Sequence, residues 1–377
     1  MKKQRKRQWT ALLLALALLF GTAACAAKES PAAAGSGSAD AAPESGGSAA
    51  SDSAVRVFAD DCGREVEIPA DITAIVPSGP ISQIILFAIA PDLFVGLASE
   101  FVDAARGLIP DAYFDLPYLG QLYGSANLNV EELAAVGPQL IVDVGEAKSS
   151  VVEDMDDLQA QTQIPSVHIE ATLSTMGDCF RRLGTLLGRE EKAEELAQFC
   201  ERVYDRTLSI LDRVGDNKVS ALYVLGEDGL NVLAKGSYHA ELIDLLTDNL
   251  AVVESPTGKG TGNEVTMEQI ALWDPDFILF GPDSIYDTVS ERDTWKELTA
   301  IRTGRYIETP EGPHSWMGTP PAVQRYLGLI WLTAQLYPEY CDYDVRAEVG
   351  EYYALFYGCE LTDEQYDALT ANALLYP

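Results

Sequence analysis

Glu131-Glu132-Leu133-Ala134, followed after three residues by Pro138-Gln139 and Leu140-Ile141-Val142, has a second copy 137 residues later. That copy reads Glu268-Gln269-Ile270-Ala271, then Pro275-Asp276 and Phe277-Ile278-Leu279. Each copy predicts a helix start, one short helix, a proline stop and a buried strand. A repeat of this size points to two similar lobes, and two lobes imply a cleft.

Asn129 is placed to cap the first helix, with Glu132 at its third position. Thr266 is placed to cap the second, with Gln269 in the same place. Glu131 and Glu268 then share the second helical position, where the helix dipole favours a carboxylate. From spacing alone, a helix-start role accounts for both.

Working outward, the first 54 residues do not read as part of a fold. Lys2, Lys3, Arg5, Lys6 and Arg7 precede an apolar run from Ala11 to Phe20. About ten residues are too few to span a bilayer but suit a signal-peptide core. Gly21-Thr22-Ala23-Ala24-Cys25 then resembles a bacterial lipobox, with Thr22 where such motifs usually carry Leu. On this reading residues 1–24 are a leader and Cys25 is lipidated; simple secretion is the other reading. Residues 25–54 are mostly Ala, Gly, Ser and Pro, too poor in apolar surface to fold. A flexible tether of that length reaches roughly 30 Å.

Charge narrows the function. The formal net charge is −32. Loss of the leader removes five basic residues and no acidic ones, giving about −37. Nucleic-acid binding is thereby disfavoured, because a phosphate backbone needs a basic footprint. Cys62, Cys179, Cys200, Cys341 and Cys359 show no metal-like spacing, although Cys341 and Cys359 are placed to pair. The three histidines, His168, His239 and His314, are scattered. No P-loop or nucleophile elbow is present, and no residue is nominated as catalytic.

Elsewhere strands alternate with helices, which predicts an α/β fold with mainly parallel sheets. Strands are expected at 55–68 as a hairpin, and at 74–77, 94–97, 140–144, 167–169, 219–225, 230–234, 277–280 and 306–307. Glu190 to Val214 repeats its apolar residues at three and four, predicting a helix of about 37 Å between the two copies of the repeat. Further helices are expected at 80–90, 238–250, 321–336 and across 345–375.

These features together resemble the solute-binding lipoproteins of ABC importers, in the group that handles iron–siderophore, haem and cobalamin-type ligands (periplasmic binding protein class III). The resemblance covers residues 55–372 and the leader. It rests on the paired Glu-and-Pro segments, the single linking helix, and Trp316-Met317-Gly318-Thr319-Pro320-Pro321 running on to Pro338. It implies a lobe at 55–188, an inter-lobe helix at 189–215, a second lobe at 216–340 and a C-terminal segment at 341–377 packing back on both. It further implies a monomer on the outer face of the cell membrane, held by lipid on Cys25. Its partners would be a small-molecule ligand, a metal chelate in kind, and a permease with a separate ATPase. Resident cofactors are not implied.

In that family a glutamate at each lobe tip pairs with permease arginines, and Glu131 and Glu268 are the matching positions. Bidentate pairing with Arg would fix orientation as well as attraction. Gln139, where the family usually has Asp, touches the start of the strand more than the docking role. For the ligand, loops beyond the carboxyl ends of the strands are expected to supply contacts. They nominate Pro80, Gln83, Tyr123, Glu146, Lys148, Tyr238, His314, Trp316 and Met317. Plainer roles also fit: core packing for Tyr123, a solvated pair for Glu146 and Lys148, a turn for His314. A direct metal-ion receptor, an extracellular enzyme, and a sensor or adhesive lipoprotein uncoupled from transport are the competing functions.

Overall fold

A computed structural model describes residues 54–122 and 130–375 of the chain. Cys25, Tyr123 and Asn129, on which three expectations fall, lie outside the described residues.

The first lobe opens with an antiparallel hairpin of β1 (Val55–Ala59) and β2 (Glu65–Pro69). Its turn is tied by the Asp60 carboxylate, which accepts the Arg64 backbone N–H at 2.8 Å and pairs with the guanidinium at 3.1 Å. A parallel sheet follows in the order β3 (Ile75–Pro77), β4 (Leu140–Gly145), β5 (Ser166–Glu170). The central strand is buried along its whole length, as an apolar run covered on both faces requires. Helix α1 (Pro80–Ile89) leaves the end of β3 with Pro80 in its first position, where the missing N–H costs nothing. Around β4 lie α2 (Val130–Val136) and α3 (Val151–Thr162).

Chain passes to the second lobe through α4 (Met176–Leu187) and α5 (Glu190–Val214), the 25-residue helix that the apolar periodicity predicted. Gly184 lets the two helices touch, since a Cβ there would lie 2.5 Å from that of Ala193. Arg181 of α4 is held between Glu194 and Glu201 of α5.

The second lobe is built on β6 (Ser220–Leu225), β7 (Asn231–Val232), β8 (Asp248–Asn249), β9 (Asn263–Glu264), β10 (Phe277–Phe280) and β11 (Tyr306–Glu308). Its path is β11-β10-β6-β7-β9, with β8 alongside β6. β10 runs parallel to both neighbours, as β4 does in the first lobe. The helices here are α6 (Glu241–Leu246), α7 (Met267–Trp273), α8 (Thr299–Arg302) and α9 (Arg325–Leu336). After them come α10 (Val345–Tyr352), a wide turn at Tyr353–Tyr357 and α11 (Asp363–Leu369). This last segment reaches both lobes: Cys359 Sγ lies 3.3 Å from Gly107 O, and Asn372 O accepts from the Glu308 N–H at 2.9 Å.

Several expected elements are shorter. The 238–250 helix stops at Leu246, because Thr247 turns its hydroxyl back to Ile243 O and buried Asn249 joins β8. The 321–336 helix starts only at Arg325, and the 345–375 helix is interrupted after Tyr352. Phe94 makes only an isolated bridge to Ile75. Cys341 and Cys359 are free thiols.

Candidate functional site

Both copies of the repeat build the same device. Helices α2 and α7 each have seven residues, with Glu131 and Glu268 second in line and exposed. Thr266 caps α7 by accepting the Gln269 N–H at 3.2 Å. Each helix ends on a left-handed residue, Gly137 (φ 61°) or Asp274 (φ 36°), directly before its proline. Gln139 Oε1 then accepts from the Thr73 N–H at 2.6 Å, and Asp276 Oδ2 accepts from the Ser220 hydroxyl at 2.8 Å. Different side chains thus tie the same strand start, which explains why Gln is tolerated in the first copy.

A cavity of 570 Å3 opens where loops of the two lobes face each other. The first lobe supplies Ser78 to Ser82 at the start of α1, with Gln121, Asp143 to Glu146, and Lys148. The second supplies Gly236 to His239, Pro256 to Gly258, and Pro320. Much of this lining is polar or backbone, and Tyr238 is its largest aromatic among the described residues.

Its first-lobe floor is a connected set. Asp143 and His168 are register partners on β4 and β5, and His168 Nδ1 lies 2.7 Å from Asp143 Oδ2. The Ser78 hydroxyl donates to Asp143 Oδ1, and Ser82 Oγ lies 2.9 Å from Ser78 Oγ. Ser82 Oγ in turn accepts the Val144 N–H at 2.8 Å. All four side chains are buried, and a buried carboxylate needs partners of this kind.

On the facing wall Tyr238 donates to Ala171 O at 2.8 Å, so it reaches across to the segment after β5. The Arg325 guanidinium lies 5.1 Å from its ring centroid. Burial pushes the Tyr238 hydroxyl up to about 12. Burial and the Arg325 charge hold His239 below the usual histidine range. Gly260 lies against the His239 ring, leaving room for no larger residue without a shift.

Of the nominated ligand contacts, Pro80, Glu146, Lys148 and Tyr238 line the cavity. The other described ones require correction. Gln83 is buried and spends its amide on Ala98 N, Ser99 N and Ser99 O. Trp316 is fully buried, edge-on to Trp331 at 6.2 Å, with its indole N–H 3.4 Å from Tyr353 Oη. Met317 is buried beside it. His314 is partly buried between the rings of Phe101 and Tyr357, away from the cavity. Burial pushes its imidazole down to about 4. Trp316 and Met317 of that Gly/Pro-rich loop pack against α9, and only Pro320 further along it reaches the cavity. Gly328 of α9 permits the approach, since a Cβ there would lie 2.6 Å from Trp316 O. Sequence reasoning passed over His239 and the 256–258 loop, whose signal was the glycine-rich run from Pro256 to Gly262.

Two α/β lobes, one linking helix and a cleft with walls from both define a two-lobed binding protein. The profile of the periplasmic binding protein family matches residues 106–313, just over half of the chain, and the chain belongs to that family. Among solved structures it is similar to an ABC transporter solute binding protein from Sulfurospirillum deleyianum, at 26% identity and TM-score 0.77 over 84% of this chain and 99% of that one. A periplasmic solute binding protein from Veillonella parvula is similar at 24% identity and TM-score 0.69, over 85% and 98%. The molybdate periplasmic binding protein of a Haemophilus influenzae ABC transporter shares the fold at 19% identity and TM-score 0.64, over 81% and 99%. A comparison with curated proteins gave no match. No helix among the described residues is long and apolar enough to cross a membrane.

Proposed function

We propose that the protein captures a metal chelate between its lobes, outside the cytoplasm, and delivers it to an ABC permease. Lipid on Cys25 would hold it at the membrane surface, and a separate ATPase would power import. The observation that carries this reading is the 570 Å3 cavity with walls of mixed polarity from both lobes. Its size suits a small-molecule site. Hydroxyls, carboxylates and backbone edges among these walls give a chelate of the ferric-siderophore, haem or corrinoid type polar groups to bind, and Tyr238, Ile81, Val144 and the prolines give it apolar surface. A receptor for bare metal ions is less well supported, because no group of three ligating side chains converges among the described residues. No residue is assigned a catalytic role.

For delivery, the support is the matched pair Glu131 and Glu268, exposed at equivalent positions of equivalent helices. Two carboxylates, one per lobe, would bind permease arginines and report lobe position. Reversing both to Lys should abolish import while ligand binding stays intact. Unchanged import in that double variant would defeat docking and favour a sensor or adhesive role.

A further inference from the structure

A second cavity, of 420 Å3, adjoins the first and shares four lining residues with it. They are Glu146 from the first lobe and Gly236, Ser237 and Tyr238 from the second. Beyond them the second cavity is lined by Leu173, by Tyr204 of α5, and by Glu241, Asp244 and Leu245 of α6. Tyr238 is the shared residue whose side chain crosses between the lobes, ending on Ala171 O at 2.8 Å.

That crossing is held in place. A half-buried phenol needs a partner for its hydroxyl, and Ala171 O supplies one. The Arg325 guanidinium lies 5.1 Å from the ring centroid. Arg325 is itself fixed, by Glu241 at 2.6 Å and by Ala322 O at 3.3 Å. The ring therefore stands as a bar between the two cavities.

The far cavity suits an uncharged group. Glu241 is occupied by Arg325 and the Leu173 N–H. Asp244 accepts from the Gly236 N–H and from the Asn249 amide, each at 2.7 Å. Leu173, Leu245 and the Tyr204 ring offer apolar surface beside them.

The geometry points to Tyr238 as the residue that limits ligand size. Its ring closes the 570 Å3 cavity off from the 420 Å3 one, so the protein takes a compact chelate and refuses one carrying a bulky neutral arm. The inference rests on the chelate-capture reading above. Removing the ring would join the two cavities and admit the arm.

The test uses two ferric trihydroxamates on one chelating frame, one bare and one carrying a benzoyl arm. Each is titrated calorimetrically into the full chain, and the ratio of the two Kd values is read. The unaltered protein should bind the bare form about tenfold more tightly or better, because the arm has to be forced against a filled wall. Tyr238→Ala, with its fold checked by the urea midpoint, should bring the ratio close to one. Tyr238→Leu, too short to reach Ala171, serves if the alanine variant does not fold. Equal binding by the unaltered protein, preference for the benzoyl form, or an unchanged ratio in the folded variant overturns the inference and leaves chelate capture standing. Binding of neither form by either protein overturns both.

Discussion

Arg325 at the start of α9 is fully buried, and its Nη1 donates to Glu241 Oε2 of α6 at 2.6 Å. The same carboxylate accepts the Leu173 N–H through Oε1 at 3.1 Å, in the segment that leaves the first lobe. Tyr326, the next residue of α9, donates to Leu173 O at 2.6 Å. Second-lobe side chains thus grip the chain just before the linking helices, on the edge of the cavity. Such a grip favours small lobe movements over wide opening.

Removing one partner of a buried ion pair strands the other. Glu241→Gln should therefore cost roughly 3 kcal/mol in urea unfolding. Adding Arg325→Met should recover much of that loss, because the unpaired charge goes with it. Additive losses in the double variant would show that the pair is not coupled.

Trp316 packs in the core and does not reach the cavity. Trp316→Ala should lower stability by roughly 3–5 kcal/mol through the void it leaves. Under conditions where the variant is folded, its affinity for a bound chelate should be unchanged. A loss of affinity with little loss of stability would restore Trp316 as a ligand contact.

His314 makes stability sensitive to acid. Its folded value is about 4, against 6.5 as the ordinary value. Between these the unfolded chain takes up a proton that the folded state refuses. The contribution is therefore complete above about pH 6.5, falls as pH drops toward 4, and is constant below. Partial exposure of the ring limits it to roughly 1–3 kcal/mol. His314→Phe should flatten this part of the profile, read from urea midpoints at pH 4.5 and 7.5. Parallel profiles for the two proteins would exclude the effect.

Local signals carried the long-range plan well. The α5 boundaries follow from uninterrupted periodicity between Glu190 and a glycine, and the repeat strands follow from proline stops before apolar runs. Elements decided by tertiary contacts were harder to see. Thr247 and Asn249 end α6 through bonds to Ile243 O, Leu233 O and Asp244. Spacing does not reveal those partners. The cavity was half legible, because loops after β3 and β4 could be placed by strand polarity. Trp316 misled because a Gly/Pro-rich loop with an aromatic resembles an exposed contact loop. Only the close approach at Gly328, a packing fact between distant segments, turns it inward. His168 read as one of three scattered histidines until strand register set it beside Asp143.

Chelate capture is tested most directly by the protein's own cargo. Protein purified from its native host without dialysis should contain about one metal ion per chain. It should also show the visible absorption of a ferric chelate, lost on stripping with a strong chelator. Colourless, metal-free protein that also fails to bind ferric chelates, haem or corrinoids in titration would contradict the account.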